Sequence, residues 1–190
     1  MTEFKKRQDV RTLHESIGPG PLRVLDLPCG SGRLIEPMAR RAYRVVGADI
    51  SEEMLAATQR RLGGRRGLAG LVRCDVRQLP FRERSFDLVV CMRFLYYFGR
   101  EERAALIREM SRLSRKWLLM QYRLQETLPS FLWRMRYRAG ITDRDRSRRG
   151  LTVSDIRREV YDAAGLRVVR VRRVSVWFSD RAYILCARTR

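Results

Sequence analysis

VLDLPCGSGRL, residues 24–34, decides how the rest of the chain is read. Apolar residues lead into Asp26 and Leu27, a turn of small residues follows, and an amphipathic run begins at Gly32. That succession predicts strand, tight turn and helix. Gly30 and Gly32 allow the backbone to come close to a ligand beside a helix N-terminus. A glycine turn of this kind suits several nucleotides, and its surroundings choose among them.

Outward from the turn the chain alternates. LRVLDL (22–27) reads as a strand, residues 32–42 as a helix and YRVVGAD (43–49) as a second strand. Ser51 caps a helix running to about Leu62, with Glu52 and Glu53 in the first turn, where the helix dipole favours them. After the loop GGRRG (63–67), LAGLVRCD (68–75) is a third strand. SFDLVVCM (85–92) is a fourth, apolar through its middle as a strand buried on both faces should be. Residues 100–114 form a helix with Leu106, Ile107, Met110 and Leu113 on one face, and KWLLMQY (116–122) is the fifth strand.

The segment 124–150 breaks this regularity and reads as an insertion mixing aromatics with arginines. Helical order returns where Thr152 and Asp155 form a capping pair, Leu151 staples onto Ile156 and Gly165 ends the helix. LRVVRVRRV (166–174) and RAYILCART (181–189) are strands with no helix between them, so they pair antiparallel or lie apart. The expectation is one α/β domain over 1–190, its sheet mostly parallel with one reversed strand, preceded by a short helical segment at 1–20.

Composition narrows the partners. The 190 residues carry 41 basic against 21 acidic side chains, formally +20, and only Lys5, Lys6 and Lys116 are lysines. Such a surface favours nucleic acid, anionic lipid or phosphorylated partners. A genome rich in arginine codons explains arginine in place of lysine, but not the excess of base over acid. Cys29, Cys74, Cys91 and Cys186 form no CxxC pair, which argues against a zinc site or a disulfide framework and fits a reducing, cytoplasmic setting. No stretch is long and apolar enough to span a bilayer, and the start lacks the core of a secretory signal.

Three features select the ligand. The dinucleotide fingerprint wants a third glycine where Ile35 stands. Asp26, at the end of the first strand, suits an ammonium or sulfonium and is awkward beside a pyrophosphate. Asp49 ends the second strand at the distance from Gly30 where a carboxylate takes ribose hydroxyls. A cationic, ribose-bearing ligand without a pyrophosphate is S-adenosylmethionine. From Leu22 to Arg188 the sequence resembles a class I S-adenosylmethionine-dependent methyltransferase. VLDLPCGSGRL is similar to that family's first motif, GADISEEML to its second, CDVRQLPF to its third and RSFDLVVCMRFLYYF to its fourth. AAGLRVVRV resembles its late helix-to-strand junction. The resemblance implies a Rossmann-like doubly wound sheet with strand order 3-2-1-4-5-7-6.

It also implies roles. Asp26, Gly30 and Gly32 would hold the methionine end, Asp49 the ribose, Ile50 would lie against the adenine, and Asp75 would accept from the adenine amino group with Val76 beside it. Cys91 and Met92 would line the methionine portion. Pro28 departs from the pattern, which has glycine there, and withholds one backbone N–H. Alternatives stand beside these roles. Asp49 can instead cap the next helix, Asp75 can be a turn residue, and Cys91 can be a pyrimidine-methylating nucleophile or a small buried apolar residue.

The resemblance leaves the acceptor open. His14, the single histidine, reads as a surface residue. Where family members often carry a histidine pair, this chain has Tyr96 and Tyr97, which can orient an acceptor, stack on it, close over the cofactor or pack the core. The absence of a (D/N)PP(Y/F) motif after the fourth strand argues against methylation of exocyclic amines on bases. Substrate contacts should then fall to the insertion as a cap. There Phe131, Trp133 and Tyr137 alternate with Arg134, Arg136 and Arg138, and Arg144, Arg146, Arg148 and Arg149 follow. Trp133, Arg134 and Tyr137 are the leading substrate-binding candidates. Aromatics among arginines suit stacked bases with phosphates, a membrane interface, or a solvated loop. Three functions follow: a methyltransferase for a small or lipid-like, anionic acceptor, an RNA methyltransferase, and a cofactor-binding protein without turnover.

Overall fold

The computed structural model describes residues 21–41, 43–62, 64, 67–141, 150–175 and 177–188; the segment expected over 1–20, with His14, and Arg144, Arg146, Arg148 and Arg149 lie outside them. Its strands are β1 (Arg23–Asp26), β2 (Arg44–Asp49), β3 (Leu68–Arg73), β4 (Phe86–Cys91), β5 (Ser114–Arg123), β6 (Leu166–Ser175) and β7 (Ser179–Arg188). They form one sheet in the order β3-β2-β1-β4-β5-β7-β6. Neighbours from β3 to β5 run parallel, and β7 is antiparallel to both β5 and β6. The reversed strand is therefore the last one, forced by the direct connection from β6.

The helices are α1 (Ile35–Ala39), α2 (Glu52–Leu62), α3 (Arg100–Leu113), α4 (Leu128–Arg138) and α5 (Val153–Ala164). Alternation along each strand sends side chains to two cores. On one face Leu25, Val89, Leu118 and Met120 meet Leu106, Ile107 and Met110 of α3 and Ile156 and Val160 of α5. On the other, Val24, Val45, Leu88, Val90 and Leu119 meet Ile35 and Met38 of α1 and Leu62 of α2. Thr152 caps α5 through the Asp155 N–H at 3.0 Å, and Gly165 ends it with a φ of 61°.

Two expectations need correction. The helix expected over 32–42 is the shorter α1, because Pro37 has no N–H to give and is tolerated only in a first turn; starting at Ile35 places it there. The insertion is helical from Leu128 to Arg138, with Thr127 as its N-cap and Pro129 in its first turn. Its aromatics and arginines alternate in sequence but not in space.

Close approach of α1 to the sheet is met from the strand side. A Cβ at Gly47 in β2 would lie 2.8 Å from Ile35 Cδ1 and 2.8 Å from Leu71 Cδ2. The bulk at position 35 is thus matched by a missing side chain at 47. Across the other face a buried polar cluster ties three elements together. Glu159 of α5 accepts from Arg103 of α3 at 2.9 and 2.6 Å and from the Tyr122 hydroxyl of β5 at 3.0 Å. Arg103 also donates to the Phe98 carbonyl at 2.7 Å, which fixes the chain just beyond the turn Leu95–Tyr97.

Candidate functional site

The parallel strands end together, so Asp26 of β1 and Asp49 of β2 stand side by side at the carboxyl edge of the sheet, the usual place for a ligand crevice in an open α/β fold. Both are almost wholly buried. A cleft of about 290 Å³ opens there, lined by Asp26, Gly30, Asp49, Met54, Met92 and Arg93 among others.

Asp49 organises the glycine turn. Its Oδ2 accepts from the Gly30 N–H at 2.8 Å and its Oδ1 from the Ser51 N–H at 3.0 Å. Each oxygen keeps a second lone pair for a ligand. The helix cap belongs to Ser51, whose hydroxyl accepts from the Met54 N–H at 3.2 Å. Gly30 (φ 52°) and Gly32 (φ 68°) both need the left-handed region. They differ in surroundings. A Cβ on Gly30 would meet nothing within 4 Å, so open space lies above it, whereas one on Gly32 would lie 2.6 Å from Thr58 Cγ2. Gly30 faces the cleft side of the turn; Gly32 lets α2 close on its back, where the Thr58 hydroxyl donates to the Gly30 carbonyl at 2.8 Å.

Burial first, and the neighbouring Asp49 charge second, push the Asp26 carboxyl from its ordinary 3.8 up to about 8. A positive ligand would restore its ionisation. The donor set fits S-adenosylmethionine on these grounds: a buried acid needing a cation, a carboxylate with lone pairs left for hydroxyls, and an open cradle over Gly30.

Met92 lines the cleft but Cys91 does not. Successive strand residues point to opposite faces, and Cys91 lies buried in the core beneath α3 and α5. Burial, aided by the Asp26 charge, holds its thiol protonated far above the usual range, which removes it as a nucleophile. Ile50 is 63% exposed beside the cleft's β2 wall. Asp75 serves as a turn residue, accepting from the Arg77 N–H at 2.9 Å. Val76 packs on the core, and neither residue is among those lining the cleft. Tyr96 lies half buried with the Arg123 guanidinium carbon 4.8 Å from its ring centroid, and Tyr97 is exposed against it. Burial and a hydrogen bond with Tyr97 raise the Tyr96 phenol. Trp133 and Tyr137 stack on one another at 5.6 Å on α4, with Arg134 exposed; none of the three lines the cleft.

Sequence reasoning missed Ser31, Arg33, Leu34, Met54 and Arg93 in the lining. Arg93 holds a left-handed φ of 57°, an uncommon state for arginine that clusters at functional sites and that no local sequence signal announces. Met54 was readable, one helical turn beyond Ser51. Among the described residues no three His, Cys, Asp or Glu side chains are grouped as a metal site would group them.

A family described as "Methyltransferase domain" matches residues 24–116. A ubiquinone biosynthesis O-methyltransferase from Hahella chejuensis is 36% identical over 106 residues, covering 50% of this chain and 42% of that relative. A magnesium-protoporphyrin O-methyltransferase from Synechocystis is 29% identical over 104 residues, covering 55% and 45%. The chain thus spans about half the length of these curated relatives. The crystal structure of magnesium protoporphyrin IX methyltransferase from Synechocystis, with bound SAH, superposes with a TM-score of 0.79 at 24% identity, over 98% of this chain and 83% of that one.

Proposed function

We propose that this chain, which belongs to the class I S-adenosylmethionine-dependent methyltransferases, transfers a methyl group from that cofactor to a small-molecule or lipid-like acceptor. The observation that carries the reading is the pair of buried carboxylates, Asp26 and Asp49, on adjoining strand tips, with Asp49 holding the Gly30 N–H. Relatives named as a ubiquinone biosynthesis O-methyltransferase and a magnesium-protoporphyrin O-methyltransferase support a small acceptor with an oxygen to methylate.

S-adenosylmethionine, when bound, supplies a methyl group on a positively charged sulfur with a neutral leaving group. Asp26 holds the cationic methionine end in its ionised form, and the free lone pairs of Asp49 take the ribose hydroxyls. Ile50 covers the adenine, with Asp75 and Val76 at the neighbouring strand end. Met92 forms an apolar wall that excludes water, so alignment and desolvation supply much of the rate. Tyr96, kept protonated, acts as a hydrogen-bond donor that orients an acceptor rather than as a base.

Cofactor affinity should depend on pH with a definite sign. The folded carboxyl of Asp26 keeps its proton up to about pH 8, while the unfolded chain loses it near 3.8. A bound cation must expel that proton, so affinity rises with pH and levels off above about 8. Two pH units below, the dissociation constant should be roughly 100-fold weaker. The same shift makes stability fall as pH climbs from about 4 to about 8. Asp26→Asn should flatten both profiles and melt higher than wild type at pH 8, while binding cofactor more weakly. Calorimetry in buffers of different ionisation enthalpy reads the released proton directly.

Incubation with methyl-labelled cofactor and fractionated cell extract tests the reaction. Label in the small-molecule or lipid fraction, with release of S-adenosylhomocysteine, is the expected result. Label in RNA would move the acceptor to nucleic acid, and cofactor binding without release against every fraction would reduce the protein to a binder.

A further inference from the structure

The helix α4 is amphipathic the wrong way round. Leu128, Phe131, Leu132 and Met135 recur at the helical period and fall within a stripe roughly 100° wide. A stripe of that kind normally faces the core. Here its members are 39%, 49%, 51% and 49% exposed, while Ser130 is the one buried residue of the helix; across the helix from the stripe, half-buried Trp133 stacks on Tyr137, which is 36% exposed. At 100° per residue, Arg136 borders the stripe on one side and Arg138 and Arg134 on the other. The helix has no acidic residue.

A second apolar projection stands at the same edge. Leu124, just before α4, donates to the Asp180 carbonyl at the start of β7, and Glu126 pairs with Arg173 of β6 at 2.9 Å. The β6–β7 hairpin tip is thereby held beside the beginning of α4. The Ser175 hydroxyl accepts from the Trp177 and Phe178 N–H groups at 3.2 and 3.1 Å, which organises the tip's backbone. The two aromatic side chains are 67% and 90% exposed.

We propose that α4 and the hairpin tip form a docking face for an anionic membrane surface. The apolar stripe and Trp177–Phe178 enter the headgroup–acyl boundary, while the flanking arginines meet lipid phosphates with their aliphatic stems laid along the apolar surface. An aqueous protein partner would bury the stripe equally well. The border of cations on both sides, without a single carboxylate on the helix, selects anionic lipid. Base stacking is disfavoured, because Trp133 and Tyr137 are engaged with each other. The face lies at the carboxyl edge of the sheet, as the cofactor cleft does, so a lipid-soluble acceptor would reach the cleft from the bilayer. The docking itself does not depend on methyl transfer.

Flotation of the full chain, without cofactor, is the test, using vesicles of phosphatidylcholine alone or mixed with phosphatidylglycerol. The protein should float with the mixed vesicles, less so as salt rises, and weakly with phosphatidylcholine alone. The double variant Leu132→Asp/Met135→Asp should lower partitioning about tenfold or more, and Phe178→Asp should lower it separately. These positions are solvent-facing, so melting temperature and cofactor affinity should stay at wild-type values. Equal binding to neutral vesicles, indifference to the substitutions, or no flotation would overturn the proposal. So would RNA binding, or self-association in solution, that the same substitutions abolish without any vesicle binding.

Discussion

Asp49→Ala should abolish cofactor binding at any concentration a calorimetric titration normally reaches. On the proposed reading the substitution removes a carboxylate acceptor from two ribose hydroxyls, each hydrogen bond to a charged group contributing about 1.5–3 kcal/mol. Together that is a loss of roughly 100- to 10,000-fold in affinity. It also frees the Gly30 and Ser51 N–H groups that Asp49 now holds at 2.8 and 3.0 Å, so the turn over the cleft loses its tether. The fold should survive. Ser51 still caps α2, Thr58 still holds the Gly30 carbonyl, and removing the Asp49 charge relieves one of the two causes that raise Asp26. Asp49→Asn keeps one acceptor oxygen and should fall between. Wild-type affinity in the alanine variant would show that the tip of β2 does not clasp the ribose.

Glu159→Ala carries the largest expected loss of stability. It strands the Arg103 guanidinium in a part-buried site and leaves the Tyr122 hydroxyl without its acceptor. Breaking a buried ion pair from one side costs about 3–5 kcal/mol. For a chain of this size the melting temperature should drop on the order of 10 °C. Glu159→Gln keeps an acceptor for Tyr122 and should lose less. The damage should extend to the turn that carries Tyr96 and Tyr97, since Arg103 also holds the Phe98 carbonyl just beyond it. Thermal melts of both variants, with and without cofactor, measure this. A shift within a degree or two of wild type would mean that α3 and α5 are held by apolar contacts alone.

Local signals in the sequence account for most of the fold. β4 was legible because FDLVVC is buried on both faces and reads as one apolar run. α5 was legible because Thr152, Asp155 and Gly165 punctuate it. The hairpin direction followed from the missing helix between β6 and β7. α4 is harder to read, because the alternation of Phe131, Trp133 and Tyr137 with arginines masks the helical period of Leu128, Phe131, Leu132 and Met135, although Thr127 and Pro129 mark its start. At the site, Asp26, Gly30 and Asp49 were legible because a strand end followed by glycine fixes where they must stand. The pairing of Cys91 with Met92 overlooked the pleat, which separates adjacent residues across the sheet. Arg93 joins the cleft through a backbone conformation set by tertiary context, which no short window of residues encodes.

The notch at Gly47 binds two distant positions into one heritable unit. A methyl group added at 47 would press on Ile35 Cδ1 and Leu71 Cδ2, each 2.8 Å away, so those side-chain ends must shift to admit it, and a smaller residue at 35 leaves a hole while 47 stays bare. Divergence here must pass through a cramped or hollow intermediate, or change both codons at once. Fingerprints that fix glycines to set places along one segment will overlook chains that settled the same steric debt on the opposing surface.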